Sequence, residues 1–354
     1  MSKKRNIVFV AGASGGHIMP AVVMAQREEL SNSNLTCSFI ATDSDIDRTV
    51  LARIKNQNLV HYYPMCGVNG GYILVFWRLF WAYVSSYRYL KKLRPERVVA
   101  TGGLLCVPVL LAARHLGISI DLYEFNTVPG RAVRMVAPWA NRIFVTFEKA
   151  IDALCDKDAS CAQRCQVVEY PHRFTARDLN MTKVEAIGKL TIFVMGGSKG
   201  AIWINNAMEK LIKAQPQWIQ SVQIIHQVGE DDVQKWQRFY QDHAIPATVF
   251  AFTHDIANLY HAADRVISRA GAGSIFELAF FGKKTLLIPL EGFADDHQVG
   301  NAHAIARTHK NLFSVYLQSS AERDFSAFEE FVSHFLAYDL SVRPELSRMG
   351  IERI

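Results

Sequence analysis

No apolar run in these 354 residues reaches the ~20 needed to cross a bilayer; the best candidate, Tyr72–Leu93, is broken by Arg78. The opening Met1–Arg5 is basic, but only Ile7–Ala11 follows as an apolar stretch before glycines begin. That is too short for the core of a secretory signal, so the chain is expected to stay in the cytoplasm. Cysteine is sparse: Cys37, Cys66, Cys106, Cys155, Cys161 and Cys165, with no CxxC pair. Three of them fall within a short span, yet their spacing matches no zinc or disulfide pattern. Reduced structural thiols are therefore expected, as befits a cytosolic protein. Low-complexity tracts and repeats at solenoid periods are missing as well, which excludes fibrous and repeat architectures.

What is present suits two ordinary domains, since 354 residues exceed one typical domain. The formal charge of +6 conceals an asymmetry: residues 1–177 hold 22 Lys+Arg against 13 Asp+Glu, and the remainder is mildly acidic. The first half is thus expected to meet something anionic. A nucleic-acid protein would carry its basic stripe on both halves, so nucleic acid is not expected as a partner.

Short β-branched runs alternate with helical patterns, the signature of parallel sheets built from βαβ units. Strands are expected at Asn6–Ala11, Cys37–Thr42, Leu59–Tyr63, Arg97–Thr101, Ser119–Tyr123 and Arg142–Thr146. After the polar stretch Tyr170–Gly188 they resume at Leu190–Met195, Val222–Gln227, Thr248–Ala251, Arg265–Ser268, Lys284–Ile288 and Phe313–Tyr316. Two doubly wound domains joined near Pro171–Lys189 are the economical explanation, with ligands at the carboxyl ends of the strands, in the cleft between the sheets. Tyr72–Val84 is dense in aromatics and runs into Arg88, Lys91, Lys92 and Arg94. That pattern fits a helix at an anionic membrane surface; a buried crossover helix is the alternative, and periodicity does not separate them.

The first strand enters Gly12-Ala13-Ser14-Gly15-Gly16-His17, then a helical stretch. Glycines let the backbone approach a ligand, and the helix start offers free N–H groups and a positive dipole end. The spacing is not GxGxxG, and no acid ends the second strand, which argues against a dinucleotide. The second half repeats the device in Met195-Gly196-Gly197-Ser198-Lys199-Gly200, without the GK[ST] of a P-loop. A pyrophosphate held by helix N-termini is the chemistry this suggests. Ser268–Ser274 opens a helix carrying Glu277, which is either a ribose ligand or an acid matched to a helix dipole. Asp43-Ser44-Asp45-Ile46-Asp47 and Glu230-Asp231-Asp232 look like metal sites, but both stand where helices begin and read as caps. No metal ligand and no cofactor is expected.

Together these motifs resemble the MurG family of UDP-N-acetylglucosamine transferases, over nearly the whole chain. The carriers are Gly12–His17 with Pro20, Glu124–Asn126 with Gly130, Pro171–Arg173, Gly196–Ala201, Ser268–Ala272 with Glu277, and His297–Ala302. The resemblance implies an α/β, GT-B fold: two Rossmann-like doubly wound domains facing each other across a cleft. Residues 1–172 would face acceptor and membrane, 173–340 would bind the UDP-sugar, and 341–354 would form a helix returning to the first domain. It implies that Ser14, Gly15, Gly16 and Asn126 lie against donor and acceptor, that Arg173 and Ser198 serve the diphosphate, and that Thr253 and Ala272, Gly273, Ser274, Ile275 and Phe276 hold the uridine. Glu277 would bind the ribose and Gln298 the transferred sugar. The chain departs from the family at Ala11, Ser14, Leu104 and Tyr123, mostly on the acceptor side.

The implied reaction is inverting transfer of N-acetylglucosamine from UDP to a muramyl sugar on a lipid pyrophosphate. It would take place at the anionic cytoplasmic face of the inner membrane. His17, at the start of a helix beside the cleft, is the candidate base, since histidine titrates near neutral pH. Capping the helix, holding the loop or touching phosphate are its other possible roles, and Glu124 is the other candidate base. Two alternatives stay open: another GT-B transferase acting on a glycolipid, or a degenerate UDP-sugar-binding scaffold.

Overall fold

The computed structural model describes residues 5–337 except 13, 53, 55–58, 65–70, 157–158, 180–188, 197–200, 215–220, 230–232, 254 and 293–295. Ser198, the Glu230–Asp232 acids and the expected helix at 341–354 lie outside the described residues.

The first half folds as a parallel sheet in the order β3-β2-β1-β4-β5-β6-β7. Its strands are β1 (Arg5–Val10), β2 (Leu35–Thr42), β3 (Val60–Tyr63), β4 (Arg97–Ala100), β5 (Ser119–Glu124), β6 (Arg142–Val145) and β7 (Cys165–Val167). The second half follows the order β10-β9-β8-β11-β12-β13, also parallel throughout. These strands are β8 (Leu190–Met195), β9 (Val222–Gln227), β10 (Ala247–Phe250), β11 (Arg265–Ser268), β12 (Thr285–Leu287) and β13 (Phe313–Val315). Every expected strand is present to within two residues at either end. The exception is β7, which was not expected: a three-residue edge strand is too short to show a pattern.

Both faces of each sheet are covered, so the strands read as continuous apolar runs. On one side of the first sheet, Ile7, Phe9 and Phe39 pack under α1 (Gly15–Ser31) and α2 (Asp45–Leu51). On the other, Val8, Val10 and Val98 pack under α3 (Gly71–Leu93), α4 (Cys106–His115) and α5 (Arg131–Val136). In each sheet the order reverses between its first strand and the fourth of that half, β1 beside β4 and β8 beside β11. That reversal splays the connecting loops apart and opens a crevice at the carboxyl ends. The first glycine-rich turn follows β1 at one of these switch points, and Gly196, directly after β8, stands at the other.

Helix α3 is not a fully buried crossover helix. Its carboxyl half is anchored through buried Ala82, Ser86 and Leu90, while Phe76, Trp77 and Trp81 are 62%, 51% and 59% exposed. Neighbouring rings along it, Phe76, Trp77, Phe80 and Trp81, meet edge to face instead of packing into a core. Among the described residues no helix is long and apolar enough to cross a membrane.

The cysteine expectation needs correction. The chain turns from α6 (Lys149–Cys155) through α7 (Ala159–Ala162) into β7, and the turn gathers three sulfurs. Cys155 and Cys161 are joined in a disulfide, and the Cys165 Sγ lies 3.6 Å from that of Cys155. Spacing in sequence did not reveal this, because the short helices fold the segment back on itself. Cys37 and Cys106 are free and buried, as expected of structural thiols.

Candidate active site

At the amino-terminal switch point, two turns interlock. Gly102 and Gly103 follow β4 with φ of +111° and +91°, a region that favours glycine. A Cβ on Gly103 would lie 2.9 Å from the Gly12 carbonyl oxygen, and one on Gly102 would lie 2.6 Å from the His17 ring. The imidazole therefore rests on a bare glycine. Its Nδ1 is 2.7 Å from the Thr101 carbonyl oxygen, and the Thr101 hydroxyl donates to the His17 carbonyl at 2.9 Å. A carbonyl only accepts, so Nδ1 carries a proton, and in the neutral ring the lone pair is then on Nε2. Ser14 precedes α1 in extended conformation, and Gly15 faces open space, with nothing within 4 Å of a would-be Cβ. The N–H groups of the first turn of α1 point outward, as at any helix start.

Glu124 stands differently. It is buried, and its Oε1 accepts from the Asn126 backbone N–H at 2.8 Å and from the Asn126 side-chain amide at 2.9 Å. Its Oε2 accepts from Gly130 N–H at 3.2 Å. Both oxygens thus brace the loop after β5, a position that supports Asn126 and leaves little capacity for a substrate proton.

Beyond the linker, α12 (Ala272–Phe280) starts after β11, with Gly271 as its N-cap. (Helix α8 is Ala176–Leu179, before β8; the described helices after α9, Ile202–Ala214, are α10, Val233–Asp242, and α11, Ile256–Ala262.) Ala272, Gly273 and Ser274 form its first turn, whose N–H groups lack helical partners. Ile275 is fully buried in the core, so any contact it makes with a nucleotide is through its backbone. The Phe276 ring stacks on Tyr170, 5.1 Å between centroids and 9° between planes, and also meets Phe147. Thr253 Oγ1 accepts from Asp255 N–H at 3.1 Å, just before α11.

Glu277 is held between two groups. Tyr260 donates its hydroxyl to Oε2 at 2.9 Å, and Arg173 Nε stands 3.4 Å from Oε1. The Glu277 side chain is only 16% exposed. Burial raises its pKa, against the opposing pull of Arg173 and the Tyr260 hydrogen bond. Arg173 and Glu277, assigned to diphosphate and ribose, thus pair with each other here. Gln298, in α13 (His297–Thr308), uses its Oε1 to accept from Ala270 N–H at 3.2 Å and Leu290 N–H at 3.1 Å. It ties the ends of β11 and β12 together. Arg269, in the same motif, is half-buried and donates to the carbonyls of Ile288 and Pro289 at 3.0 and 3.2 Å; desolvation pulls its pKa down to about 10.

Sequence reasoning missed the seam between the halves. Asn301 is completely buried. Its Oδ1 accepts from Thr127 N–H at 2.9 Å, and its amide donates to Asn126 Oδ1 at 3.0 Å and the Ala270 carbonyl at 3.3 Å. His297 Nδ1 donates to the Val128 carbonyl at 2.5 Å, and a Cβ on Gly300 would collide with the Thr127 hydroxyl. A chain of hydrogen bonds thus runs from Glu124 through Asn126 and Asn301 to the start of α12. The signal was the His-Gln-x-x-Asn-Ala pattern at 297–302, from which only Gln298 was taken.

Two features stand apart from these loops. Asp47 is buried, accepts from Thr42, and follows Ser44, which caps α2; the aspartate motif is structural. A pocket of 540 Å³ lies along the far side of α1, lined by Arg27, Glu28, Arg97, Asp121, Tyr123 and Arg142 among others. Tyr123 stacks there on Phe144, 4.6 Å between centroids, and its departure from the family pattern falls outside the switch-point turns.

Two parallel, doubly wound domains, each with its order reversing at a switch point, define a GT-B fold. The chain belongs to glycosyltransferase family 28: the family's N-terminal domain matches residues 7–145 and its C-terminal domain residues 191–326. It is 27% identical over 332 residues to the UDP-N-acetylglucosamine–N-acetylmuramyl-(pentapeptide) pyrophosphoryl-undecaprenol N-acetylglucosamine transferase of Myxococcus xanthus, covering 93% of this chain and 85% of that one. A protein of the same name from Geotalea uraniireducens is 29% identical over 335 residues, covering 93% and 90%. The crystal structure of Acinetobacter baumannii MurG superposes with a TM-score of 0.69 at 25% identity, over 94% of this chain and 91% of that one. The UDP-GlcNAc 2-epimerase from Neisseria meningitidis shares the fold, with a TM-score of 0.61 at 13% identity over 94% and 93%.

Proposed function

We infer that the chain transfers N-acetylglucosamine from its UDP donor to the muramyl sugar of undecaprenyl-pyrophosphoryl-N-acetylmuramyl-pentapeptide, inverting the anomeric carbon, in peptidoglycan synthesis. The observation that carries this reading is the agreement along both domains with relatives named for that one activity. His17 is the base: its Nε2 takes the acceptor hydroxyl proton as the oxygen attacks the anomeric carbon and UDP departs with the bonding pair. The tautomer set by Thr101 supports His17, and the three hydrogen bonds already accepted by Glu124 count against that residue. Negative charge on departing UDP is met by Ser198, Arg173 and helix-start N–H groups. Glu277 takes the ribose hydroxyls in exchange for its present partners, and the Gln298 amide N–H₂ donates to the sugar. The test is transfer of labelled N-acetylglucosamine to a short-chain muramyl lipid. UDP-sugar binding without turnover would instead indicate a degenerate scaffold.

The enzyme works from the cytoplasmic face of the inner membrane, held there by α3. The exposed Phe76, Trp77 and Trp81 supply apolar contact, and Arg88, Lys91 and Lys92 supply charge. Changing Arg88, Lys91, Lys92 and Arg94 to glutamine should weaken binding to anionic vesicles by about 1 kcal/mol per charge, with a smaller change on neutral ones. A native protein that ignores anionic vesicles would remove α3 from this role.

A further inference from the structure

We propose that Cys155, Cys161 and Cys165, when all three are reduced, form a binding site for a thiophilic cation of the Zn²⁺ or Cu⁺ class. Three elements contribute one sulfur each: the last residue of α6, the third of α7 and the first of β7. All three sulfurs lie within 4.8 Å of one another. A tetrahedral thiolate site with metal–sulfur bonds of about 2.3 Å places its sulfurs about 3.8 Å apart, and the Cys165–Cys155 separation is 3.6 Å. Three thiolates select soft ions over Mg²⁺ or Ca²⁺. Cys161 is buried while the other two are partly exposed, so a fourth ligand can enter from solvent.

The triangle also argues against the competing role, in which Cys165 would attack the disulfide. Attack on Cys155 runs in line with the bond to Cys161. With a sulfur–sulfur bond of about 2 Å, that would hold Cys165 and Cys161 well over 5 Å apart, and they are closer than this. Cys165 is thus a third corner, not an attacking group in line. The Cys155–Cys161 disulfide is the oxidised alternative to the loaded site. Two thiols pass two electrons and two protons to an oxidant of the small-molecule disulfide class, which leaves as two thiols. Two of the three ligands are then consumed, so oxidation empties the site.

The location gives the site a lever on the enzyme. All three cysteines fall between Phe147 and Tyr170, and both of those rings pack on Phe276 of the other domain. A bound ion would cross-link α6, α7 and β7, the whole segment between them.

The full chain, reduced with a phosphine and kept anaerobic, is titrated with Co²⁺ as a reporter for Zn²⁺ and, separately, with Cu⁺ against a chromophoric competitor. We expect saturation at a 1:1 ratio with one of the ions, for Co²⁺ with a thiolate-to-metal charge-transfer band. Cys165→Ser should bind more than about 100-fold more weakly, since losing a ligand exceeds the 10- to 100-fold cost of losing an outer partner. UDP binding by that variant confirms that it is folded. Cys37→Ser, elsewhere in the sheet, should bind the metal as the native chain does, and the oxidised protein should not bind it. No binding of either ion by the reduced native chain, or equal binding by Cys165→Ser, overturns the proposal.

Discussion

The two switch points solve the same problem in opposite ways. On the amino-terminal side the working groups are aimed by backbone: His17 by the Thr101 carbonyl and a bare glycine, Gly15 by the start of α1. On the carboxyl-terminal side, side chains satisfy one another: Glu277 with Tyr260 and Arg173. A carboxylate this enclosed cannot be left unpaired without a large penalty, so internal partners stand in until a ligand replaces them. The first arrangement is set before substrate arrives, and the second is completed by exchange.

The largest effect should come from the prearranged side. His17→Ala is expected to lower kcat by about 10²–10⁴ with UDP affinity nearly intact. If the loss instead follows donor affinity, the contrast between the two sides fails. Glu277→Ala should weaken UDP by roughly 2–3 kcal/mol, about 30- to 150-fold, as a charge-assisted contact is lost. Burial raises the Glu277 pKa. In the native enzyme, therefore, the contribution of Glu277 to UDP affinity should fall on acidification at a pH above the ordinary carboxylate range, and the variant should lack that component. Titration of UDP binding against pH in both proteins checks it.

Asn301→Ala tests whether the two sides are coupled. Removing the amide leaves buried donors on Thr127 and an acceptor on Asn126 unmatched, at about 1–3 kcal/mol. We expect a lower Tm and a raised KM for both substrates. A change for one substrate alone would place Asn301 inside a single site. The last effect concerns acid and acts on stability, leaving turnover at neutral pH untouched. His226 is fully buried between Asn205 and Tyr240, and burial depresses its pKa to about 3. The unfolded chain protonates this histidine near pH 6.5 while the folded one does not. Stability should therefore drop as pH falls below 6.5, by up to about 1.4 kcal/mol per pH unit, until about pH 3. Hydrogen exchange should show β9 opening first, and His226→Gln should flatten the decline.

Much of this was legible in the residues. Long apolar runs such as Ile7–Ala11 and Leu190–Met195 mark strands buried on both faces, and glycines directly after them mark the turns. The sheet alternation near Cys165–Val167 was too short to register. Glu124 stood beside His17 as the other candidate base, and nothing in the residues shows that its carboxylate already accepts from three donors. Tyr72–Leu93 could be read as core or as surface because its apolar residues occupy nearly every face.

The sequence by itself determined the two parallel domains, the place of both glycine turns and the family, since these depend on local pattern and order along the chain. Only the tertiary structure decided which polar atoms are already occupied. It set Arg173 in an ion pair with Glu277, joined Asn126 to Asn301, turned the α3 aromatics outward and gathered three cysteines at the end of α6. Each of these is a matter of distance between segments far apart in sequence or folded back by short helices, and residue spacing carries no record of it.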